Sequence, residues 1–285
     1  MQIEPLETFL DLMETNSFNG TAARLGVTQS TVSARIKMLE NSLGKKLFTR
    51  SRAGTKPTVA GQRFADHARL LRHEWNEATR ALQTSRNFSR SMRIGMQSDL
   101  AEQYIGTWIS KFRSMLPETA FHIEPDYSTQ MCADLLSGKI DFAILFTPKH
   151  VPDIHYENVG EVKYRLVSDH GSRLTEIDPG SYIFADYSPL FDSVHRQILP
   201  GFSNSALASG QNSAICSLLE VLGGSAFVLE DTAAKLMASG KFQAIEDADP
   251  IFQPVFIAVH IRNRHSHAHM KMAAIMRKFF ANPDQ

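Results

Sequence analysis

The chain has 285 residues, of which 43% are hydrophobic, with 30 Lys and Arg against 30 Asp and Glu and only two cysteines. That length allows two cores of ordinary domain size and that apolar fraction excludes wholesale disorder, while two cysteines without a CxxC exclude a disulfide framework or a zinc knuckle. The charge neutrality is a cancellation: residues 1–91 carry 14 Lys and Arg against 8 Asp and Glu, and residues 92–285 carry 16 against 22, which is the signature of a nucleic-acid-binding arm joined to an acidic second domain.

From the N-terminus, Leu6, Phe9, Leu10, Leu12 and Met13 recur at helical spacing and stop before Asn16 and Ser17, predicting a first short amphipathic helix. The acidic, amphipathic start MQIEPLETFLDLME differs from a secretory leader, and no stretch is a continuous apolar run of membrane-spanning length, so the expectation is a cytoplasmic protein without a membrane partner. A second helix is expected to begin at an Asn19 cap, bury Ala22, Ala23 and Leu25, and end at Gly26. Thr28 then caps a third helix, TQSTVSARIKMLENSLG, with Val32, Ile36 and Leu39 as its apolar stripe. Helix, short turn, helix is a DNA-reading arrangement. Thr28, Gln29, Ser30, Thr31, Ser33, Arg35 and Lys37 are the candidates for base edges and phosphates. A plain three-helix unit with a solvated polar face would share the pattern. The basic segment KKLFTRSRAGTKPT favours the DNA reading, since it has the composition of a wing whose Arg50, Arg52 and Lys56 sit on the phosphate backbone.

From Thr58 to about Phe88 no proline interrupts, and Phe64, Ala68, Leu71, Trp75, Ala78 and Leu82 follow at alternating steps of 4 and 3. This heptad seam predicts a long helix that pairs with a second copy, with Phe64, Leu71, Trp75, Ala78 and Leu82 as dimerisation residues.

The run SF…AA…L…TQSTVS, the block I..LE..LG..LF.R and T.AG at Thr58, Ala60 and Gly61 together resemble the N-terminal domain of LysR-type transcriptional regulators. The match spans the first 60 or so residues without a gap. The resemblance implies an all-α winged helix-turn-helix at 1–58, a coiled-coil linker helix at 59–91, and at 92–285 an α/β effector domain, two-lobed and periplasmic-binding-protein-like. It also implies a homotetramer assembled as a dimer of dimers.

The C-terminal region supports an α/β domain independently. MRIGM alternates as a strand, and Leu100, Tyr104, Trp108, Phe112 and Met115 share a helical face that Pro117 ends. FHIEPDY, TQMCADLLSGK and IDFAILF then repeat strand, helix, strand, so a parallel sheet is expected. A second series starts near Lys163 with KYRLVSD and YIFADYS, then helices from Pro189 and in QNSAICSLLEVLGG, the strand SAFVLED, a short helix closed by Gly240, the strand PVFIAVHI and a final helix. Lobe I is expected at about 92–161 and 264–285 and lobe II at about 162–263. Between them should lie a ligand cleft where strand ends meet helix starts. GKIDFAILF and VLGGSAFVLED are similar to segments of the LysR-type effector domain, with two departures: Ser225 stands where the family usually has Gly, and Glu230 where it usually has Pro. The inducer contacts of that family come from strand ends, which here implies Ser98, Asp99, Ser128, Thr129, Gln130, Phe146 and Thr147 in one lobe and Asp186, Tyr187 and Ser213 in the other. Hydroxyls and amides at helix starts suit an anion, whereas Asp99, Asp186 and Tyr187 suit a cation or a hydroxylated ligand.

Other signals carry less. His260, His265, His267 and His269 lack a Cys or carboxylate partner at ligand spacing, and Cys132 and Cys216 fall inside amphipathic helices in different lobes. No metal and no cofactor is expected. A redox- or metal-responsive regulator and a DNA-binding regulator without ligand remain the alternatives. No GxSxG, HExxH, Walker loop or GxGxxG is present, so an enzyme is not expected. The expectation is a sequence-specific transcriptional regulator that binds double-stranded operator DNA, is modulated by a small molecule in its C-terminal cleft, and has RNA polymerase as a further candidate partner.

Overall fold

The computed structural model describes residues 3–51, 54–83 and 88–281. The chain divides into two compact units, one through residue 86 with Leu136–Lys139 grouped with it, the other holding the remainder.

The first unit runs α1 (Glu4–Thr15), α2 (Phe18–Leu25), α3 (Gln29–Leu43), β1 (Phe48–Ser51), β2 (Gly54–Pro57) and α4 (Val59–Gln83). Pro5 and the acidic pair Glu4 and Glu7 favour a helix start at α1, and Asn16, left-handed at φ 51°, ends it. The cap of α2 is Ser17 and not Asn19, because the extended Ser17 reaches back with its hydroxyl to accept the Gly20 amide. The face turned to the core carries Phe18, Thr21 and Ala22, while Leu25 is half-buried and Ala23, expected inside, is exposed. Thr28 does cap α3, accepting the Thr31 amide. Phe9 lies at the centre of this core, fully buried against the rings of Phe48 and Phe64 at 5.5 and 5.2 Å. Burial of a side chain of that size contributes about 1.5–3 kcal/mol.

The second unit holds β3 (Arg90–Gln97), α5 (Ser98–Met115), β4 (Thr119–Asp126), α6 (Ser128–Ser137), β5 (Phe142–Leu145) and β6 (Ile154–Ser168). After these come β7 (Ile183–Ala185), α7 (Pro189–Ile198), β8 (Leu207–Ser209), α8 (Asn212–Leu222), β9 (Ser225–Leu229), α9 (Glu230–Ala238), β10 (Gln243–Ala244), β11 (Ile251–His260) and α10 (His267–Ala281). The main sheet has the order β10-β6-β11-β5-β3-β4, with β9 also paired to β6. β3 is parallel to β4 and β5, as the βαβ pattern predicts, and β7 is parallel to β8. Two lobes result. β3, β4 and β5 with α5, α6 and α10 make one, and β7, β8 and β9 with α7, α8 and α9 make the other.

β6 and β11 belong to both. They pair antiparallel along their lengths from Ile251↔Tyr164 to His260↔Ile154. The strand expected from Lys163 therefore starts nine residues earlier, at Ile154; its first half, HYENVGEV, carries too many polar residues to show an apolar alternation. The register breaks between Val255 and Phe256, opposite Gly160. Gly160 is required there: its φ is 152° and an added Cβ would stand 2.3 Å from the Phe280 Cβ. Among the described residues no helix is long and apolar enough to cross a membrane.

Candidate functional site

Two sites follow from these units, a bare helix face in the first and a set of buried polar bridges in the second. In the first, Gln29, Ser30, Ala34, Lys37, Met38 and Asn41 are exposed along α3, while Thr31, Ser33 and Arg35 are half-buried. The Thr28 hydroxyl is occupied by capping and by the hydroxyls of Ser30 and Thr31, both at 2.8 Å. Arg35 leans off this face toward α1, with Nη1 donating to Thr8 Oγ1 at 3.4 Å. Ala34 and Met38 extend the exposed stripe with apolar contacts that polarity-based selection passed over.

The wing is pinned to α3 by one carboxylate. Glu40 is buried, and its Oε1 accepts the amides of Leu47 at 2.8 Å and Phe48 at 3.4 Å while Oε2 accepts Lys46 Nζ at 2.7 Å. Burial alone would raise its pKa, but the Lys46 bond and the two amides outweigh it and hold the carboxyl below its ordinary value. Thr58 closes the wing from the other side: its hydroxyl donates to the Lys46 carbonyl at 2.7 Å and accepts the Gly61 amide at 3.0 Å. Gly61 then lies against the wing so closely that a Cβ would fall 2.3 Å from the Leu47 carbonyl oxygen. These contacts account physically for the LE…LF and T.AG elements of the sequence. In the hairpin Thr49 pairs with Lys56 and Arg50 with Thr55, which leaves Lys56 exposed. Only the backbone of Arg50 is described, and Arg52 lies outside the described residues.

The α4 seam splits into two parts. Phe64 is half-buried on Phe9 and Ala68 is fully buried in the unit's own core, so Phe64 is not a free dimerisation residue: one turn after Gly61, α4 still lies on α1. Beyond that point Leu71 and Trp75 are 39% and 40% exposed, Leu82 is 89% exposed and Ala78 is open.

In the second unit the strand ends converge, but on one another. The Ser128 hydroxyl donates to Gln97 Oε1 at 3.2 Å and accepts the amides of Phe146 at 3.3 Å and Thr147 at 3.2 Å. The Phe146 carbonyl accepts from Gln253 Nε2 at 3.4 Å, and Gln253 Oε1 accepts the Ser188 hydroxyl, which caps α7. Across the lobes, Asp99 Oδ1 accepts the Asn212 amide at 2.8 Å. The Asn212 side chain in turn accepts the Leu229 amide at 2.9 Å and the Tyr187 hydroxyl at 3.4 Å, and Tyr187 also donates to the Phe227 carbonyl at 2.9 Å. Tyr187 stacks on Tyr164 with ring centroids 4.4 Å apart.

Of the predicted effector residues, Asp99, Ser128, Phe146, Thr147 and Tyr187 thus belong to this network. Ser98 is half-exposed at the start of α5, and Thr129, Gln130, Asp186 and Ser213 are exposed, with the Gln130 amide donating to Asp134. Gln97, Tyr164, Ser188, Asn212 and Gln253 were missed. For Gln253 and Tyr164 a signal existed, since each sits on the apolar face of an alternating strand, between Ile251 and Val255 and between Val162 and Leu166. Among the described residues, cavities of about 660, 360 and 260 Å³ lie away from this network, beside α5 and β4, between α8 and α9, and under α10.

The electrostatics of the network are unusual. Burial pushes the Asp99 carboxyl up to about 6, against the lowering pull of the Asn212 amide. Burial and the neighbouring Asp99 charge hold Tyr164 and Tyr187 well above their ordinary values. Ser225 and Glu230, the two departures, have local partners: Ser225 Oγ lies 2.8 Å from Ser168 Oγ, and Glu230 binds Arg165 through both oxygens. Cys132 is buried with its sulfur 3.3 Å from the Tyr156 hydroxyl, and burial pushes the Cys216 thiol up to about 12. A thiol held protonated to that degree is a poor redox sensor. His269 is buried, bonded through Nε2 to the Asp141 carbonyl and through Nδ1 to Ser266.

Residues 3–62 match the model of the bacterial regulatory helix-turn-helix protein, lysR family, and residues 85–281 match that of the LysR substrate binding domain. Among curated proteins, the HTH-type transcriptional regulator HdfR of Yersinia pestis (strain Pestoides F) is 27% identical over 273 residues, covering 92% of each chain. Among solved structures, the full-length LTTR LysG of Corynebacterium glutamicum with bound effector Arg aligns over 99% of each chain at 18% identity and a TM-score of 0.59. Vibrio fischeri DarR in complex with DNA aligns over 97% of this chain and 98% of that one, at 18% identity and a TM-score of 0.56.

Proposed function

This chain belongs to the LysR family of bacterial helix-turn-helix transcriptional regulators, and from that premise we propose that the exposed stripe of α3 reads operator DNA while the strand-end network of the C-terminal unit responds to the effector. The protein is a DNA-binding transcriptional regulator and not an enzyme, and its activity is modulated by a small molecule in the C-terminal domain. Regulators of this family are multimeric.

The observation that supports the DNA assignment is the exposed stripe along α3 on a basic module. Gln29 and Ser30 are exposed in the first turn and Lys37 and Met38 two turns on. In a major groove Gln29 suits the edge of an adenine, Met38 and Ala34 a thymine methyl, and Lys37 a guanine or a phosphate. Arg35 supports this face from the side. One of its five donors is on Thr8 and the others are left for a backbone phosphate. Thr31 and Ser33 line the same helix, and Arg50, Arg52 and Lys56 give the wing its charge for the adjacent phosphates. Leu71, Trp75, Ala78 and Leu82 form the seam that pairs two copies, and further association makes the dimer of dimers. Residues 1–58 serve as the DNA-binding domain, 59–91 as the linker and 92–285 as the effector domain, working in the cytoplasm with RNA polymerase as a contact at the promoter.

The test is an operator titration by fluorescence anisotropy with full-length protein at several salt concentrations. Lys37→Ala should weaken binding and lower the salt slope by about one if it holds a phosphate. An affinity and slope equal to wild type would remove α3 from the groove.

A further inference from the structure

α10 leaves a cavity of about 260 Å³ between itself and the sheet. The floor is apolar: Phe142 on β5, Ile257 and Val259 on β11 and Ala273 on α10 are all buried. The mouth is cationic. Arg264, Arg277 and His155 border it and are exposed, against the single carboxylate of Glu157. Residues 92–285 carry 22 Asp and Glu against 16 Lys and Arg, so this wall reverses the sign of the unit around it.

β6 brings the polar groups there. Among the described residues its first half, from Ile154 to Lys163, is paired on one side only, with β11. His155 stands opposite Val259 and Glu157 opposite Ile257, and opposed residues of antiparallel strands share a face. Polar residues of the run HYENVGEV therefore lie under α10. From the other side His269, Ala273 and Arg277 follow at steps of four, so one stripe of α10 meets the cavity. Two contacts hold that stripe in place: His269 is bonded to the Asp141 carbonyl and to Ser266, and Arg277 is paired with Glu157. Between them Ala273 is too small to fill the gap, and the cavity stays open.

One cation is left for a ligand. Arg264 donates through Nε to the His265 ring at 2.9 Å, and among the described residues no carboxylate pairs with it. Its Nη1 and Nη2 remain side by side, the arrangement that binds a carboxylate through both oxygens. An apolar floor with a few convergent polar groups is the composition of a ligand pocket. Its volume equals that of about nine waters in the liquid, which limits the occupant to a molecule of similar heavy-atom count.

We propose that the cavity under α10 is a second ligand site, separate from the strand-end network, for small carboxylic acids with an apolar body: the Arg264 fork holds the carboxylate, and Phe142, Ile257, Val259 and Ala273 receive the body. The occupant lies against β6 and β11, the strands that belong to both lobes.

The experiment is ligand-observed saturation-transfer NMR on the full-length protein, with cyclohexanecarboxylate as the probe and cyclohexanecarboxamide as its neutral counterpart of the same shape. Wild type should bind the acid saturably with a Kd of about 1 mM and the amide about tenfold more weakly, since the amide forgoes the charge-assisted pair. Arg264→Gln, at an exposed position, should weaken the acid about tenfold and leave the amide unchanged. Ala273→Leu fills the floor and should lose acid and amide alike. Absence of saturable binding at about ten times the expected Kd, equal binding of acid and amide, or an acid affinity unchanged by Arg264→Gln overturns the proposal. Loss of acid binding in Ser128→Ala but not in Arg264→Gln would place the acid in the strand-end network and overturn it as well.

Discussion

The two units place their buried polar groups over very different distances in sequence. In the first, the fastening bonds are short: Glu40 reaches Leu47 and Phe48, and Thr58 reaches Lys46 and Gly61, all within twelve residues. In the second they are long: Asp99 to Asn212, Phe146 to Gln253 and Ser188 to Gln253 span 113, 107 and 65 residues. Short bonds fasten wing and helices within one small core and leave Gln29, Ser30, Lys37 and Asn41 exposed along α3. Long ones join segments whose strands cross from lobe to lobe, so that a single ligand contact can reach both.

That contrast can be broken at several points. The largest effect is expected at Gly61, where a Cβ would stand 2.3 Å from a backbone oxygen that cannot move without the wing. Gly61→Ala should cost about 3 kcal/mol or more in urea unfolding of the first unit and leave the second unchanged; a wild-type midpoint would mean that α4 does not lie on the wing.

The second unit should instead answer to pH. Asp99 has a folded value of about 6 against 3.8, so the stability it contributes is full below 3.8 and is lost as pH rises through 6. His195, fully buried and bonded to the Tyr182 hydroxyl, is held down to about 4 from 6.5 by burial. Its contribution is full above 6.5 and is lost as pH falls through 4. In wild type the two oppose each other across the same window. Asp99→Asn leaves only His195, and the variant should gain about 3 kcal/mol of stability between pH 4 and pH 7. A profile as flat as that of wild type would contradict both assignments.

Smaller effects sharpen the comparison. Glu40→Ala leaves the Leu47 amide buried without its acceptor and should cost about 2 kcal/mol, read as a lowered urea midpoint of the first unit. Trp75→Asp should change the stability of the isolated fold by no more than about 0.5 kcal/mol, because the side chain is 40% exposed within the chain. It should nevertheless lower the mass seen by light scattering, and an unchanged mass would refute the seam.

The same difference in sequence distance decides what the sequence alone could reveal. The helices, caps and wing of the first unit follow from periodicity and from residues such as Thr28 that act on their own neighbourhood. The difference from expectation there is local too: Ser17, two residues before Asn19, caps α2. In the second unit the βαβ order and the parallel β3, β4 and β5 were legible, since each is a run of adjacent elements. The bridging pair β6 and β11 extends beyond the apolar alternation that marks it in the sequence, and the pairing of Asn212, Ser188 and Gln253 with distant partners is not written in any local pattern. Nothing near Asp99 in the sequence indicates that its carboxylate will meet an amide 113 residues on. Buried polar residues on apolar strand faces, Gln253 above all, are the trace such long bridges leave.

The proposed reading of a specific operator by the exposed face of α3 depends on base contacts from Gln29. Selection of bound duplexes from a random library by full-length wild-type protein and by Gln29→Ala tests it most directly. Wild type should enrich two spaced, imperfectly palindromic half-sites, and Gln29→Ala should relax the preference at one base pair in each half-site, by about 1–3 kcal/mol of discrimination. No enrichment by wild type, or an identical preference in the variant, would contradict it.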